Sequence, residues 1–304
     1  MRDSLPPHRT IVRFAPSPNG LLHLGHARSA LENWRTAERE HGTFLLRIED
    51  IDADRCRPHY ETAIFEDLSW LGLDWPLPVR RQSEHLDAYR EALAELQALD
   101  LVYPAFLSRA DSARAIASAE ADGAAWPRDP DGAPHYPGAE RAMAASQRRR
   151  RVEAGEPFAW RLDMRAACAG AAGRLQWLEA DGAAGRMVEA DPASWGDVVL
   201  ARRDTPTSYH LSVTVDDHVQ AITDVIRGRD LYHATSVHRL LQTLLGFPAP
   251  RYRHHGLVTD ASGRKLSKSD GDTAIASMRA AGMSPASVAR LAFAGEAPGD
   301  DQTF

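Results

Sequence analysis

The feature that most restricts the fold lies between Thr10 and Asp50. An apolar, strand-like run from Thr10 to Ala15 gives way to the turn punctuation Pro16-Ser17-Pro18-Asn19-Gly20. A helical pattern then covers about His26 to Arg39, and Phe44-Leu45-Leu46-Arg47-Ile48 reads as a short buried strand ending in Glu49-Asp50. Strand, helix and strand in that order predict a parallel βαβ unit, because parallel strands need a crossover and a helix is its usual form. Ligands of open parallel sheets sit beyond the carboxyl ends of the strands. Ser17, His23 and Glu49 are therefore expected to gather at one crevice.

The 304 residues are 43% apolar and 26% charged, enough for a sizeable core in a soluble globular chain. No stretch approaches the roughly 18 uninterrupted apolar residues of a membrane span, so no membrane partner is expected. The opening MRDSLPPHRT lacks the apolar core of an export signal, which predicts a cytoplasmic protein. Two isolated cysteines, Cys56 and Cys168, cannot supply a disulfide framework or a thiolate zinc site. A net charge of −6 argues against a general nucleic-acid coat, although Arg148–Arg151 form a local basic run. That run is either a solvated helix end or a phosphate contact.

Farther along, helical patterns are predicted at about 60–71 and 84–99, and residues 121–138 read as a loop rich in Gly, Ala, Pro and Asp. Short strands are predicted at 158–164, 174–179 and 186–190. The middle of the chain thus takes an α+β character, read as an insertion. "DVVLARRD" (197–204) and "SYHLSVTVDD" (208–217) read as strands, with another at 225–227 and helices at 234–245 and 285–294. Ser284 is the expected N-cap of the last helix. The resulting division has α/β halves at 1–100 and 196–262, an inserted subdomain at 101–195, and a loop with a helical segment at 263–304.

Two short motifs carry chemistry. His23 and His26, at a helix start, could donate hydrogen bonds to phosphoryl oxygens while the helix's free N–H groups favour an anion, and Gly25 lets a flat ligand approach the backbone. Alone, two histidines at that spacing are more often packing or surface residues, with a metal pair a lesser reading. "GRKLSKSDG" (263–271) places Lys265 and Lys268 three apart in a basic, hydroxyl-bearing loop suited to phosphates. Alone, it is more often a solvated loop.

Taken together, P-x-P-x-G-x-x-H-x-G-H after a first strand and K-L-S-K-S near the end resemble the two signatures of class I aminoacyl-tRNA synthetases. "RFAPSPNGLLHLGHARSAL", "FLLRIEDIDADR", "DVVLARRDTPTSYHLSVTVDD" and "VIRGRDLYHAT" resemble the glutamyl branch, whose glutaminyl cousins usually carry Glu where this chain has Ser17. The resemblance covers nearly the whole chain, in the family's block order. It implies a Rossmann-like α/β catalytic domain with an inserted α+β subdomain. About 35 residues follow Ser269, too few for an anticodon-binding region, and that shortness resembles the glutamyl-queuosine tRNA(Asp) synthetases. Those enzymes place activated glutamate on the queuosine base of tRNA(Asp).

The resemblance further implies a ligase that uses L-glutamate, ATP with Mg²⁺ on its phosphates, and queuosine-bearing tRNA(Asp); a monomer is the expected state. It assigns the glutamate pocket to Arg13, Phe14, Ala15, Pro16, Ser17, Glu49, Tyr209 and Arg227. The two arginines would take carboxylates, Glu49 the ammonium, and Tyr209 would close the pocket with a hydrogen bond. ATP falls to His23, Gly25, His26 and Lys268, and catalysis to His23, His26, Lys265 and Lys268. Each residue also has a plain structural reading, and it is the set in matching contexts that favours the pocket. Arg148–Arg151, Arg202 and Arg203 are candidates for RNA phosphates.

One departure stands out. Relatives often hold zinc with a Cys-x-Cys pair and a later Tyr-x-x-x-Cys, but here Ala105, Leu107 and Glu140 stand at the cysteine positions and only Tyr136 remains. A four-coordinate zinc site cannot be built from that set, so no structural zinc is predicted. A truncated glutamyl-tRNA synthetase charging tRNA(Glu), or a silent RNA- or glutamate-binding paralogue, are the rival functions.

Overall fold

The computed structural model describes residues 9–180, 185–202, 205–258 and 274–294. The predicted βαβ unit forms from β1 (Ile11–Phe14), α1 (Leu24–Arg39) and β2 (Thr43–Ile48), with β1 and β2 parallel. After α2 (Pro58–Trp70), β3 (Arg80–Arg81) joins β2, giving the order β1-β2-β3. α3 (Leu86–Ala98) leads into β4 (Val102–Ala105), α4 (Arg109–Ala121), α5 (Ala145–Glu153), β5 (Ala159–Leu162) and α6 (Met164–Gly170). β6 (Gln176–Glu179), β7 (Arg186–Glu189) and β8 (Val199–Arg202) precede α7 (Tyr209–Val219). β9 (Asp224–Gly228), α8 (Thr235–Leu244), β10 (Arg251–His255), α9 (Ile275–Ala280) and α10 (Pro285–Ala292) complete the described chain.

A second sheet has the order β7-β6-β10-β9, with β9, β10 and β6 parallel. It abuts the first where Ile11 N donates to Thr223 Oγ1 at 2.8 Å and Thr223 N donates to Ile11 O at 3.0 Å. β1 and β9 are thus neighbours from which the chain winds outward in opposite directions. A crevice opens at the carboxyl ends of strands at such a switch point, and here it separates the loops that follow β1 and β9. β6 and β7, drawn from residues 101–195, hydrogen-bond into this sheet. β8, from residues 196–262, instead pairs antiparallel with β5 beside β4.

Two apolar cores support the crevice. The first joins Val12, Leu46 and Ile48 of the sheet to Ala27 and Ala30 of α1 and to Val288 and Ala292 of α10. The second lies under β4, β5 and β8 and takes in Leu211 and Val215 of α7 with Leu240 and Leu241 of α8.

The strand predicted at 208–217 is instead the helix α7. Leu211 through Asp217 are all buried, so there is no solvated face to reveal a period of 3.6, and the consecutive β-branched residues Val213, Thr214 and Val215 imitate a strand. The basic run lies within a helix, α5. Arg151 stacks on Phe106, 4.0 Å from the ring centre, and bonds Glu156, while Arg149 and Arg150 are exposed.

At the positions where relatives carry zinc ligands, Glu140 Oε1 accepts from Phe106 N at 2.9 Å, from Leu107 N at 3.2 Å and from the Tyr136 hydroxyl at 2.8 Å. A single buried carboxylate thus gathers the strand end after Ala105 and the Tyr136 loop. Among the described residues no group of three or more His, Cys, Asp or Glu side chains could hold a metal ion.

Candidate active site

A cavity of about 430 Å³ occupies the crevice. It is lined by Arg13 to Ser17, by His23, Gly25 and His26, and by Glu49, Tyr209 and Arg227. The structure therefore brings together every described residue assigned to the glutamate and ATP sites. Lys265, Lys268 and Arg203 lie outside the described residues, and Arg202 ends β8 on the exposed surface. Asn19, Ser29, Asp230 and His255 also line the cavity, but no motif singled them out.

The histidines are built into the start of α1. His23 is the N-cap, its Nδ1 accepting from Gly25 N at 3.1 Å, while His26 Nδ1 accepts from His23 N at 3.2 Å. This reciprocal pattern is a capping box made with imidazoles. Because each Nδ1 accepts, the neutral rings carry their proton on Nε2, the donor form a phosphoryl oxygen needs. The ring centres are only 3.9 Å apart. A Cβ added at Gly25 would lie 3.0 Å from His23 Cε1. The glycine therefore makes room for the capping ring itself, a tighter requirement than ligand approach.

Arg13 is aimed by a buried carboxylate. Its Nε donates to Asp217 Oδ1 at 2.9 Å and Nη2 to Oδ2 at 3.3 Å, and Arg47 Nη2 reaches the same Oδ1 at 2.8 Å. Asp216 alongside accepts from Arg80 Nε, Gln82 Nε2 and the Tyr89 hydroxyl, at 2.8, 2.8 and 2.9 Å. Burial alone would raise the Asp217 carboxyl, but Arg13 and Arg47 hold it below its usual range. Asp216 and Asp217 are the functional residues that sequence reasoning missed, since both fell within the segment misread as a strand.

Glu49 follows β2, its amide donating to Pro16 O at 3.1 Å, which ties the two loops together. Burial pushes its carboxyl up to about 7, against the opposing pull of Arg47 and Arg13. The folded state then binds this proton more tightly than the unfolded chain does. Stability from this group is full below the ordinary Glu range and declines as pH rises toward 7. Arg47 Nε lies 3.8 Å from Glu49 Oε1, so the carboxylate form keeps one cation nearby.

Arg227, buried at the end of β9, is held by different chemistry. Nε donates to His254 Nε2 and Nη1 to His238 Nδ1, each at 3.2 Å, and Nη1 also reaches the Tyr209 hydroxyl at 3.4 Å. Nη2 donates to Thr235 Oγ1 at 2.8 Å and Leu231 O at 3.1 Å. Burial raises the Tyr209 hydroxyl, which keeps it a protonated donor. The cavity thus sets the fixed guanidiniums of Arg13 and Arg227 around the Glu49 carboxylate, with the Asp230 carboxylate also in its lining, and the first three groups are the complement of a small molecule with two anions and a cation.

Comparison with known proteins places this geometry. A family model described as "tRNA synthetases class I (E and Q), catalytic domain" matches residues 9–298. A Rhodobacter capsulatus protein named "Glutamyl-Q tRNA(Asp) synthetase" is 46% identical over 286 residues, covering 92% of this chain and 99% of the relative. A Symbiobacterium thermophilum protein of the same name is 40% identical over 288 residues, covering 91% and 83%. Among solved structures, a glutamate tRNA ligase from Elizabethkingia meningosepticum in complex with its amino acid superposes with a TM-score of 0.70 at 30% identity. That match takes in 87% of this chain and 53% of the ligase, so the chain spans about half of that structure's length.

Proposed function

The chain belongs to the class I glutamyl and glutaminyl tRNA synthetase family and is a ligase of that type, and from this premise we propose that it activates L-glutamate with ATP and transfers it to the queuosine base of tRNA(Asp). The observation that carries the glutamate half is the pairing of Arg13 and Arg227 with Glu49 around one cavity. The acceptor half is supported by 46% identity along 99% of the Rhodobacter capsulatus relative.

In the first step the α-carboxylate of glutamate attacks the α-phosphate of ATP. That nucleophile is ionised at neutral pH, so no general base is required. The burden falls on alignment and on neutralising charge as pyrophosphate leaves. The Nε2–H groups of His23 and His26, at the N-terminus of a 16-residue helix, are suited to that charge, with Lys265 and Lys268 as partners. Mg²⁺ carried on the nucleotide would neutralise phosphate charge. A cyclopentene hydroxyl of queuosine then attacks the adenylate's carbonyl and AMP departs.

The acceptor is tested by incubating the protein with ATP, labelled glutamate and tRNA(Asp) with or without queuosine. Label confined to queuosine-bearing tRNA(Asp) is expected; label on queuosine-free tRNA(Asp) or on tRNA(Glu) would refute the assignment. Glu49 provides a second check. Glutamate's ammonium needs the ionised carboxylate, so with a pKa of about 7 the KM for glutamate should rise about tenfold between pH 8 and pH 6. Glu49→Gln should raise KM and flatten this dependence. A wild-type KM indifferent to pH over that range would count against the ammonium role.

A further inference from the structure

Arg227 is set apart from Arg13 by what holds it. Arg13 is clamped by the Asp217 carboxylate, whereas no carboxylate lies within ion-pair reach of Arg227 among the described residues. Its acceptors are two imidazole nitrogens, two hydroxyls and a carbonyl, all uncharged. Such a cradle fixes the guanidinium's direction without cancelling its charge.

The cradle works only if each imidazole presents a lone pair to an arginine N–H. For His254 that choice is imposed from behind. Glu179, at the end of β6, accepts from His254 Nδ1 at 2.9 Å, from the His254 amide at 2.9 Å and from Trp177 Nε1 at 2.9 Å. With Nδ1 donating to Glu179, the neutral ring has its lone pair on Nε2, which faces Arg227 Nε. His238 is matched in the same way: Nδ1 accepts from Arg227, so Nε2 carries the proton and meets His210 Nδ1 at 3.2 Å. Burial and the Arg227 charge lower the proton affinity of His254 and His238, so protonation does not disturb these roles near neutral pH.

We propose that Glu179, acting through His254, is a positioning residue for Arg227 and thereby sets the affinity for the amino-acid substrate's carboxylate. The inference deepens the glutamate reading above and rests on it. Glu179 touches no part of the cavity beside Arg13 and Glu49; it belongs to β6, a neighbouring strand, and reaches the site through β10.

The chemistry of replacement makes the role testable. Three donors converge on Glu179, and glutamine in its place has one acceptor oxygen and a donating amide. His254 can relieve the resulting donor-to-donor contact by moving its proton to Nε2, where it would oppose Arg227 Nε–H. In glutamate-dependent ATP–pyrophosphate exchange on the full chain, Glu179→Gln should raise the KM for glutamate about tenfold or more, as supporting hydrogen bonds behind a ligand typically do. The KM for ATP and kcat should change less than about threefold. His254→Leu should act in the same direction, and His254→Gln, whose amide oxygen can accept from Arg227, should recover part of the loss. Calorimetric binding of L-glutamate should show the same order.

An unchanged glutamate KM in both Glu179→Gln and His254→Leu would overturn the proposal. So would an equal loss in both KM values and kcat, or no recovery in His254→Gln. A wild-type chain that neither binds nor activates L-glutamate would remove the functional reading itself, and with it this inference. That outcome is distinct from an active wild type with insensitive variants.

Discussion

Replacing Asp217 with alanine is expected to destabilise the fold by about 3–5 kcal/mol, because it strands the guanidiniums of Arg13 and Arg47 in a buried site without their shared carboxylate. For a chain of this size that loss corresponds to a fall in melting temperature of roughly 10 °C. Ion pairing alone is not the reason. Asp52 and Arg55 are as close, at 2.6 Å, but Arg55 is largely exposed and Asp52 partly so. Removing the Asp52 carboxylate should therefore cost less than about 1 kcal/mol. Thermal melts of Asp217→Ala and Asp52→Ala side by side test the contrast, and comparable losses would show that burial of the Asp217 web does not matter. The pH dependence has a defined sign. The Asp217 carboxyl is held below its ordinary range, so its contribution is present above the ordinary aspartate range and is lost as pH falls through the lowered value.

The second large effect concerns chemistry rather than stability. Lys268→Ala is expected to slow glutamyl-adenylate formation roughly 10²–10³-fold, the effect of removing one group that meets developing transition-state charge. Although Lys268 lies outside the described residues, both described ends of its segment are placed at the cavity. Val258 lines it, and Ala274 pairs with His23, where Ile275 N donates to Leu22 O at 2.8 Å. ATP–pyrophosphate exchange measures the rate, and calorimetry should find glutamate binding nearly unchanged. Normal exchange in the variant would remove Lys268 from the mechanism.

How much of this was legible beforehand depends on the range of the interaction. The βαβ start was readable because its signals are local: a strand period, a proline-glycine turn and an amphipathic helix within forty residues or so. Residues named from the motifs, from Arg13 to Ser17 and through His23, Gly25 and His26, line a single cavity. α7 was misread because it is buried on every side, so neither its period nor its polar residues marked it as a helix.

By itself, then, the sequence determined the α/β class, the family, and the inventory of groups able to meet glutamate and ATP, since motif spacing and strand–helix order are properties of the chain. Only the tertiary structure decided how those groups are oriented and charged. Arg13 is aimed by a carboxylate 204 positions away, and the proton on His254 is assigned by Glu179 across 75 positions. Burial of Glu49 between the β1 and β2 loops moves its carboxyl to about 7. Tautomer, ionisation and side-chain direction depend on partners that meet only when distant strands pack side by side, and no local pattern encodes them.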